Sequence, residues 1–184
     1  MRVLLLFHSA CRGDGIMDGR GDFDFEEGSW AVRHRRLATR LAGAMDWEEF
    51  DGTSRMSRLM GGLANVEDNL LQLPSGPYRA LALRTFDPAT GLWAIWWVDG
   101  RAPHQLDVPV KGRFQDGVGR FIAEDSFQGR PVLVEFQWSQ TPEGPRWQQA
   151  FSPDRGGVWE VNWTMDFRRV RDGTGARVAA AASW

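Results

Sequence analysis

The sequence predicts an all-β fold, an antiparallel up-and-down β-barrel of about nine or ten strands with little helix. Stretches in which apolar and polar residues alternate recur along the 184-residue chain, as half-buried strands require. Turn signals rich in Gly, Pro and Asp separate these stretches at intervals of roughly 8–12 residues. A barrel is favoured over a sandwich because consecutive hairpins place neighbouring strands side by side, and closure of the sheet removes its exposed edges.

The clearest strand covers residues 158–169, with the sequence VWEVNWTMDFRR. Its odd positions include Trp159, Val161, Trp163 and Phe167, while its even positions are mostly polar. The period of two predicts that the odd face lines the inside of the barrel and that this is the closing strand. Trp163 lies near the middle of the strand, so it is the member of this face that we expect to contact a ligand.

The first strand, residues 30–37, has four even-numbered residues on one face, ending at Arg36. Residues 37–45 then carry apolar side chains at every fourth position, which predicts a helical turn. The basic residues of this region, Arg35, Arg36 and Arg40, are interpreted as a solvated face. The remaining strands are predicted at residues 47–54, 63–73, 78–86, 92–98, 110–114, 118–127, 131–139 and 145–151, with residues 55–60 as a further candidate strand.

Three parts are expected along the chain. Residues 1–20 form a flexible N-terminal extension, residues 21–170 form the barrel, and residues 171–184, rich in Gly and Ala, form a C-terminal tail. At the start of the barrel region the segment GDFDF is predicted to form a short turn or helix that packs against the rest.

Composition limits the classes of partner. The formal net charge of −2 gives no electrostatic reason to expect nucleic acid or an anionic membrane, and no segment approaches the ~20 apolar residues of a membrane span. Cys11 is the single cysteine, so no intrachain disulfide can form and a cytoplasmic location is expected. The chain has 10 Trp against 1 Tyr, which predicts an aromatic core or a cavity lined by indole rings.

The motif Gly28-Ser29-Trp30 resembles the Gly-x-Trp signature of lipocalins and other calycins. In those barrels the Trp closes one end and an Arg after the last strand packs across it, a role that the resemblance assigns to Arg169. More broadly, the chain resembles the DUF1579-related group of bacterial calycin-like domains over roughly residues 21–169. The resemblance implies a calycin-like barrel and implies no activity. Its motifs are GDFDF, GSWAVRHRRL, WEEFDG, GGLANVEDN, LRTFDPATGLWAIWWVDG, GRFQDGVGRF and WEVNWTMDFRR.

The turn before the closing strand, SPDRGGVW at residues 152–159, is similar to the Asp box of sialidases. In that motif the Ser and the Asp shape a hairpin turn and the Trp packs beneath it. A single copy indicates a tight hairpin and argues against a sialidase, which would carry several copies.

Polar residues are expected inside the barrel at two places. If Trp30 points inward, the period of two also places His34 inside, where it could bind a ligand, act as an acid or base, or be a core histidine. In the strand 63–73 each face carries polar residues, Asn65 and Asn69 on one and Asp68 on the other. Buried polar groups need partners, so we expect a hydrogen-bonding cluster that lines a pocket; the alternative is a bulge with these side chains in solvent.

Glu48 has two interpretations. It could pair with His34 across neighbouring strands as an acid–base unit, or it could lie in a surface ion pair with Arg33 or Arg35. No metal site is predicted because the three histidines are scattered and lack neighbouring ligands at suitable spacing. No cofactor is predicted either.

The strand 92–98 is apolar on both faces. A strand in a single closed barrel buries one face, so the other is expected to be covered by the N-terminal arm, by the tail with Trp184, or by a second subunit in a homodimer.

These observations favour a domain that binds a small hydrophobic or aromatic molecule. The alternative is a cofactor-independent isomerase, cyclase or lyase acting on a hydrophobic metabolite, with His34 as acid or base and Glu48 or Asp68 as its partner. A third interpretation is a structural or interaction protein whose lumen is only core. The candidate ligand-binding residues are Trp30, His34, Asn65, Asp68, Asn69, Trp93, Trp97 and Trp163.

Overall fold

The computed structural model describes residues 18–170, which form one closed barrel of ten antiparallel strands. Each strand pairs with the next along the chain, and β1 pairs with β10 to close the ring, which confirms the predicted up-and-down barrel. The strands are β1 (Gly28–Leu37), β2 (Trp47–Leu59), β3 (Ala64–Leu73), β4 (Gly76–Asp87), β5 (Leu92–Asp99), β6 (Val110–Gln115), β7 (Val118–Phe127), β8 (Arg130–Thr141), β9 (Gly144–Ser152) and β10 (Glu160–Arg169).

Two local predictions are wrong between β1 and β3. The stretches 47–54 and 55–60 are parts of one long strand, β2, along which buried and exposed residues alternate. Residues 38–46 form no helical turn and instead run as bends and extended chain. Leu41 and Gly43 have φ values of 56° and 66°, a left-handed backbone that a right-handed helix cannot contain.

The alternation predicted for the closing strand fails at one residue. A β-bulge lies between Val161 and Trp163, and it places Asn162 inside the barrel at 0% exposure while Val161 is 36% exposed. The prediction that Val161 faces the core is therefore wrong, because one extra residue reverses the phase of the strand. Beyond the bulge, Trp163 and Phe167 point inward as predicted.

The turn before β10 has the hydrogen bonds of an Asp-box-like hairpin. Ser152 Oγ donates to Asp154 Oδ1 over 2.8 Å and accepts from the Gly156 amide over 2.7 Å. Asp154 Oδ1 also accepts from the Val158 amide over 2.9 Å. These bonds hold the pKa of the Asp154 carboxyl below its usual range.

The segment before β1 closes one end of the barrel. It forms two short 3₁₀ helices, Gly19–Gly21 and Asp24–Glu26, which confirms the prediction for GDFDF. Between them Phe23 is buried, with its ring edge-to-face against Trp93 at 5.0 Å. Residues 18–20, which the sequence assigned to the extension, belong to this folded end. The rest of the predicted extension, Cys11 within it, and the tail with Trp184 lie outside the described residues.

Trp30 and Arg169 complete the same end. The guanidinium carbon of Arg169 lies 4.2 Å from the centroid of the Trp30 ring, and its nitrogens donate to the carbonyls of Glu27 over 2.8 Å and Phe25 over 3.2 Å. Trp30 Nε1 donates to the Glu26 carbonyl over 2.6 Å. This is the closure that the Gly-x-Trp resemblance implies, and it ties the N-terminal segment to the first and last strands.

The closed half of the lumen is filled. Side chains including Trp93, Phe121 and Phe167 are buried there, and the space left around Trp138 is ≈ 10 Å³. That volume holds at most a water molecule. Any organic ligand inside this barrel must therefore lie toward the other end.

The outer face of β5 is only partly covered. Its outward residues, Leu92, Ala94, Trp96 and Val98, are all half-buried. The homodimer contact through 92–98 stays a prediction. No helix among residues 18–170 is long and apolar enough to cross a membrane.

Candidate ligand-binding site

A cavity of ≈ 290 Å³ lies at the barrel end opposite the Trp30–Arg169 closure. The wall opens here because β5 and β6 pair only through Trp93–Ile95 and Val110–Gly112. Past Ile95, residues 100–109 form a loop at the rim, held to β5 by a single bridge between Val98 and Leu106. We call this space the mouth cavity.

Aromatic rings form part of the cavity wall, beside aliphatic and charged side chains. Trp97 and Trp163 meet edge-to-face with ring centroids 5.8 Å apart, and Trp147 supports Trp163 from below at 5.5 Å. Such an arrangement presents flat apolar faces that suit an aromatic or alicyclic ligand. The other apolar lining residues are Ile95, Val108, Val110, Phe127, Val134, Phe136 and Phe151.

Two arginines add positive charge to this wall. Arg36 is the last inward polar residue of β1; it pairs with Glu48 over 3.3 Å and lies over the rings of Phe50 and Trp163. Arg40, in the segment that follows β1, lies 5.7 Å from the ring centroid of Phe151 and 5.9 Å from that of Trp163.

Arg40 has aromatic neighbours and no carboxylate in ion-pair contact among residues 18–170. The negative charge of Glu160 acts on Arg40, but its carboxylate makes no ion pair with that residue. Both carboxylate oxygens of Glu160 accept from the Leu41 amide. Burial, and next the charge of Arg36, lower the pKa of Arg40 to about 10. The side chain therefore remains a cation at neutral pH, half removed from water.

The opposite part of the rim is acidic. Asp99 is neutralised by Arg101 at 2.5 Å, and Arg101 in turn lies over the ring of Tyr78 at 3.9 Å. Asp107 and Asp125 also line the cavity. Burial raises the pKa of Asp107, and the charges of Asp125 and Asp99 raise it further. The mouth cavity therefore has a positively charged side at Arg36 and Arg40 and an acidic side at Asp107 and Asp125.

His34 lies beneath the cavity and is a core histidine. It is 1% exposed, stacks on Phe50 at 4.7 Å, and its Nδ1 accepts from Trp163 Nε1 over 3.3 Å. Burial lowers its pKa to about 4, so the ring is neutral at pH 7. The acid–base pair with Glu48 is not formed, because Glu48 binds Arg36 while Glu49 takes Arg33 and Arg35.

The interior polar cluster expected from β3 is present, and it is fully buried. Arg84 donates to Glu67 and to Asn65 Oδ1, the latter over 2.9 Å, and it contacts Glu26 at 3.0 Å. Ser54 Oγ donates to Glu67 over 2.7 Å. Burial raises the pKa of Glu26 well above its ordinary value, while Arg84 lowers that of Glu67. The neutral form of Glu26 is thus favoured, whereas the ionised form of Glu67 is favoured beside Arg84.

The structure separates the candidate residues into four places. Trp97 and Trp163 line the mouth cavity, and His34 contacts it only through Trp163. Trp30 and Trp93 lie at the closed end, where Trp93 Nε1 donates to the Gly19 carbonyl over 3.2 Å. Asn65 belongs to the buried charge cluster, and Asn69 is buried beside it with its Nδ2 bonded to the Glu67 carbonyl. Asp68 is on the outside, paired with Arg79 at 3.2 Å.

Sequence reasoning missed the two arginines of the mouth. The inward position of Arg36 could have been predicted, because Arg36 lies on the same face of β1 as Trp30, Val32 and His34. The position of Arg40 could not have been predicted in this way, because it depends on the irregular path of residues 38–46 between β1 and β2. The interpretation of both as part of a solvated face is wrong: Arg36 is half-buried and Arg40 packs on aromatic rings.

Within residues 18–170 no group of three or more His, Cys, Asp or Glu side chains is placed to hold a metal ion. A scan of the chain against models of protein families finds no match, and a search of curated proteins finds no relative.

Proposed function

We propose that this protein binds a small apolar or aromatic molecule in the mouth cavity of its barrel. One observation carries the proposal: a concave space of ≈ 290 Å³, lined by aromatic and aliphatic side chains together with charged ones, remains open at one end of a barrel whose other half is filled. Binding sites for small molecules are concave and mostly apolar, with a few polar groups at defined places. The Trp30–Arg169 closure supports the further proposal that the chain is related to the calycin-like DUF1579 group.

The cavity size restricts the ligand. Its volume lies at the lower limit of the ~300–1,000 Å³ typical of such pockets. A compact molecule with one or two rings suits this space better than a long acyl chain, because the filled closed half leaves no tunnel below Trp138 and Trp147.

A neutral aromatic dye tests the proposal without knowledge of the natural ligand. N-phenyl-1-naphthylamine should bind, gain emission and accept energy from the cavity tryptophans. The variant Trp97→Ala removes a wall of the cavity and should weaken binding about tenfold or more, in line with the ~1.5–3 kcal/mol lost when a large apolar contact is removed.

The neighbouring Trp96→Ala is the matched control, because Trp96 points outward on the same strand and does not line the cavity. It should leave dye binding unchanged. A wild-type protein that fails to bind the dye, or equal losses in the two variants, would contradict binding in the mouth cavity.

A further inference from the structure

We infer that the ligand of the mouth cavity carries an anionic group, which binds at Arg40 beside Arg36 while its apolar body lies against Trp97 and Trp163. This inference rests on the proposed function and narrows it to one chemical class: small aromatic or apolar acids with a carboxylate, sulfonate or phosphate group.

The first argument concerns the environment of Arg40. Its guanidinium lies within 6 Å of three ring centroids, at 5.9, 5.7 and 5.9 Å from Phe127, Phe151 and Trp163. Cation–π contacts of this kind offset only part of the cost of removing a charge from water. No carboxylate among residues 18–170 makes an ion pair with Arg40, since Glu160 is bonded to the Leu41 amide, so an anionic group of a ligand would provide that contact.

The second argument is the contrast with the other arginines of this end. Arg101 has Asp99, Arg36 has Glu48, and the outward-facing Arg33 and Arg35 have Glu49. A carboxylate is thus supplied to each of these arginines from within the fold. Arg40 differs from them in facing the cavity with its charge still to be balanced.

The third argument is the repulsion between Arg36 and Arg40. Both guanidinium carbons lie within 6 Å of the Trp163 ring centroid, at 5.7 and 5.9 Å, and the charge of Arg36 makes protonation of Arg40 harder. An anion bound at Arg40 would relieve this repulsion. Glu48 is bound to Arg36 and makes no ion pair with Arg40 in this structure.

The acidic residues of the rim define the orientation of the ligand. Asp125 is on β7, which stands four strands from β1 around the ten-strand ring, and Asp107 precedes β6. The acidic wall is therefore across the mouth from Arg36. An anionic group is repelled there and attracted on the arginine side, so the cavity admits an acid in one orientation.

A pair of dyes that differ by one sulfonate tests the inference. 1-Anilinonaphthalene-8-sulfonate is the sulfonated form of the neutral N-phenyl-1-naphthylamine. The wild-type protein should bind the sulfonate about ten- to hundredfold more tightly than the neutral dye, as a charge-assisted contact with arginine predicts.

Arg40→Met keeps an apolar side chain against the rings and removes the charge. It should abolish the preference for the sulfonate, measured as the ratio of the affinities of the two dyes for the same variant. Arg35→Met is the matched control, because it removes the same charge from the outward face of β1, outside the cavity. Arg35 pairs with Glu49 at 3.1 Å and is exposed, so this variant should behave as wild type.

Arg40→Lys provides a further variant that keeps the charge, and it should retain part of the preference for the sulfonate. In the wild-type protein, added salt should reduce the difference in affinity between the two dyes, because it screens the charge of the sulfonate. This measurement needs no variant. Circular dichroism and urea unfolding of each variant show whether its fold is retained.

The outcomes separate the two proposals. If the neutral dye binds and the sulfonate binds no more tightly, the anionic site is overturned and the apolar cavity stands. The anionic site is likewise overturned if Arg40→Met and Arg35→Met reduce the preference equally, because the effect is then one of net charge. If neither dye binds, both proposals fail.

Discussion

Individual charged residues in this barrel differ mainly in the partners that surround them. Arg84 is fully buried, with its guanidinium carbon 4.7 Å from the Phe23 ring centroid and 5.2 Å from that of Trp138, and it contacts Glu26 and Glu67. Arg40 also packs on aromatic rings, yet it lacks such carboxylates among the described residues. The charge of Arg84 is therefore balanced by carboxylates of the protein itself, whereas Arg40 is free to pair with an anionic group of a ligand.

His34 makes the stability of the protein sensitive to acid. Its pKa is about 4 in the folded protein against an ordinary value of 6.5, so the unfolded chain takes up this proton more readily. The contribution is fully present above pH 6.5 and is lost as the pH falls toward 4, and it amounts to about 3 kcal/mol. We expect His34→Gln to reduce this acid-dependent loss, measured by urea unfolding at pH 7, 5 and 4.

His104→Gln is the control for this prediction, because His104 is exposed in the loop at the rim. It should leave the pH dependence of the unfolding free energy as in wild type. A His34→Gln protein with the full acid-dependent loss would show that other groups cause it.

At the scale of single residues, the sequence supports some placements and not others. The inward position of His34 follows from the period of two that begins at Trp30, and the structure agrees. The hydrogen-bond partner of His34 cannot be predicted from this period, because the Trp163 indole lies 129 residues away along the chain. Arg40 lies outside any strand, so no periodicity applies to it.

The elements of the barrel are more predictable than the contacts between them. Alternation and turn residues are local properties, and they suffice to place the strands in order. The bulge in β10 is not local: Asn162 turns inward where its Oδ1 accepts from Gln149 Nε2 of the neighbouring strand over 2.7 Å. A partner on another strand determines that change of phase, so the sequence of β10 alone cannot show it.

The link between the last strand and the N-terminal segment can be tested at Arg169. Arg169→Met removes two hydrogen bonds to the carbonyls of Phe25 and Glu27 and a cation–π contact with Trp30. We expect the free energy of unfolding to fall by about 1–3 kcal/mol, measured by urea denaturation. Amide hydrogen exchange should also increase in the segment before β1, because this closure holds that segment against the barrel.

The neighbouring Arg168→Met is the matched control, since Arg168 points outward and is exposed. Its stability and its hydrogen exchange should stay close to wild type. Equal effects of the two substitutions would mean that the Trp30–Arg169 closure has no special part in holding the end of the barrel.

The molecule as a whole has two ends with different compositions. The closed end contains the N-terminal segment, packed aromatic rings and the buried Glu26–Arg84–Glu67 cluster. The open end contains the mouth cavity, its arginines and a rim loop that pairs with β5 at one position only. This division implies that stability depends mainly on the closed end, and that residues at the open end can change with little effect on folding.

Two arginine substitutions test that division. Arg84→Met leaves the Glu67 carboxylate buried without its cation, and we expect a loss of about 3–5 kcal/mol in unfolding free energy at pH 7. Arg40→Met removes a cation that has no carboxylate partner among the described residues, so we expect a change below about 1 kcal/mol. Urea denaturation monitored by circular dichroism measures both.

The double variant Glu67→Gln/Arg84→Met separates loss of packing from loss of charge balance. Removal of the carboxylate together with its cation should recover a large part of the stability lost in Arg84→Met, because the main cost there is an uncompensated buried charge. In Arg84→Met alone, stability should also fall as the pH rises, because both Glu26 and Glu67 must then retain protons to stay buried. If the double variant is no more stable than Arg84→Met, the cluster contributes through packing on Phe23 and Trp138, and charge balance is not what stabilises the closed end.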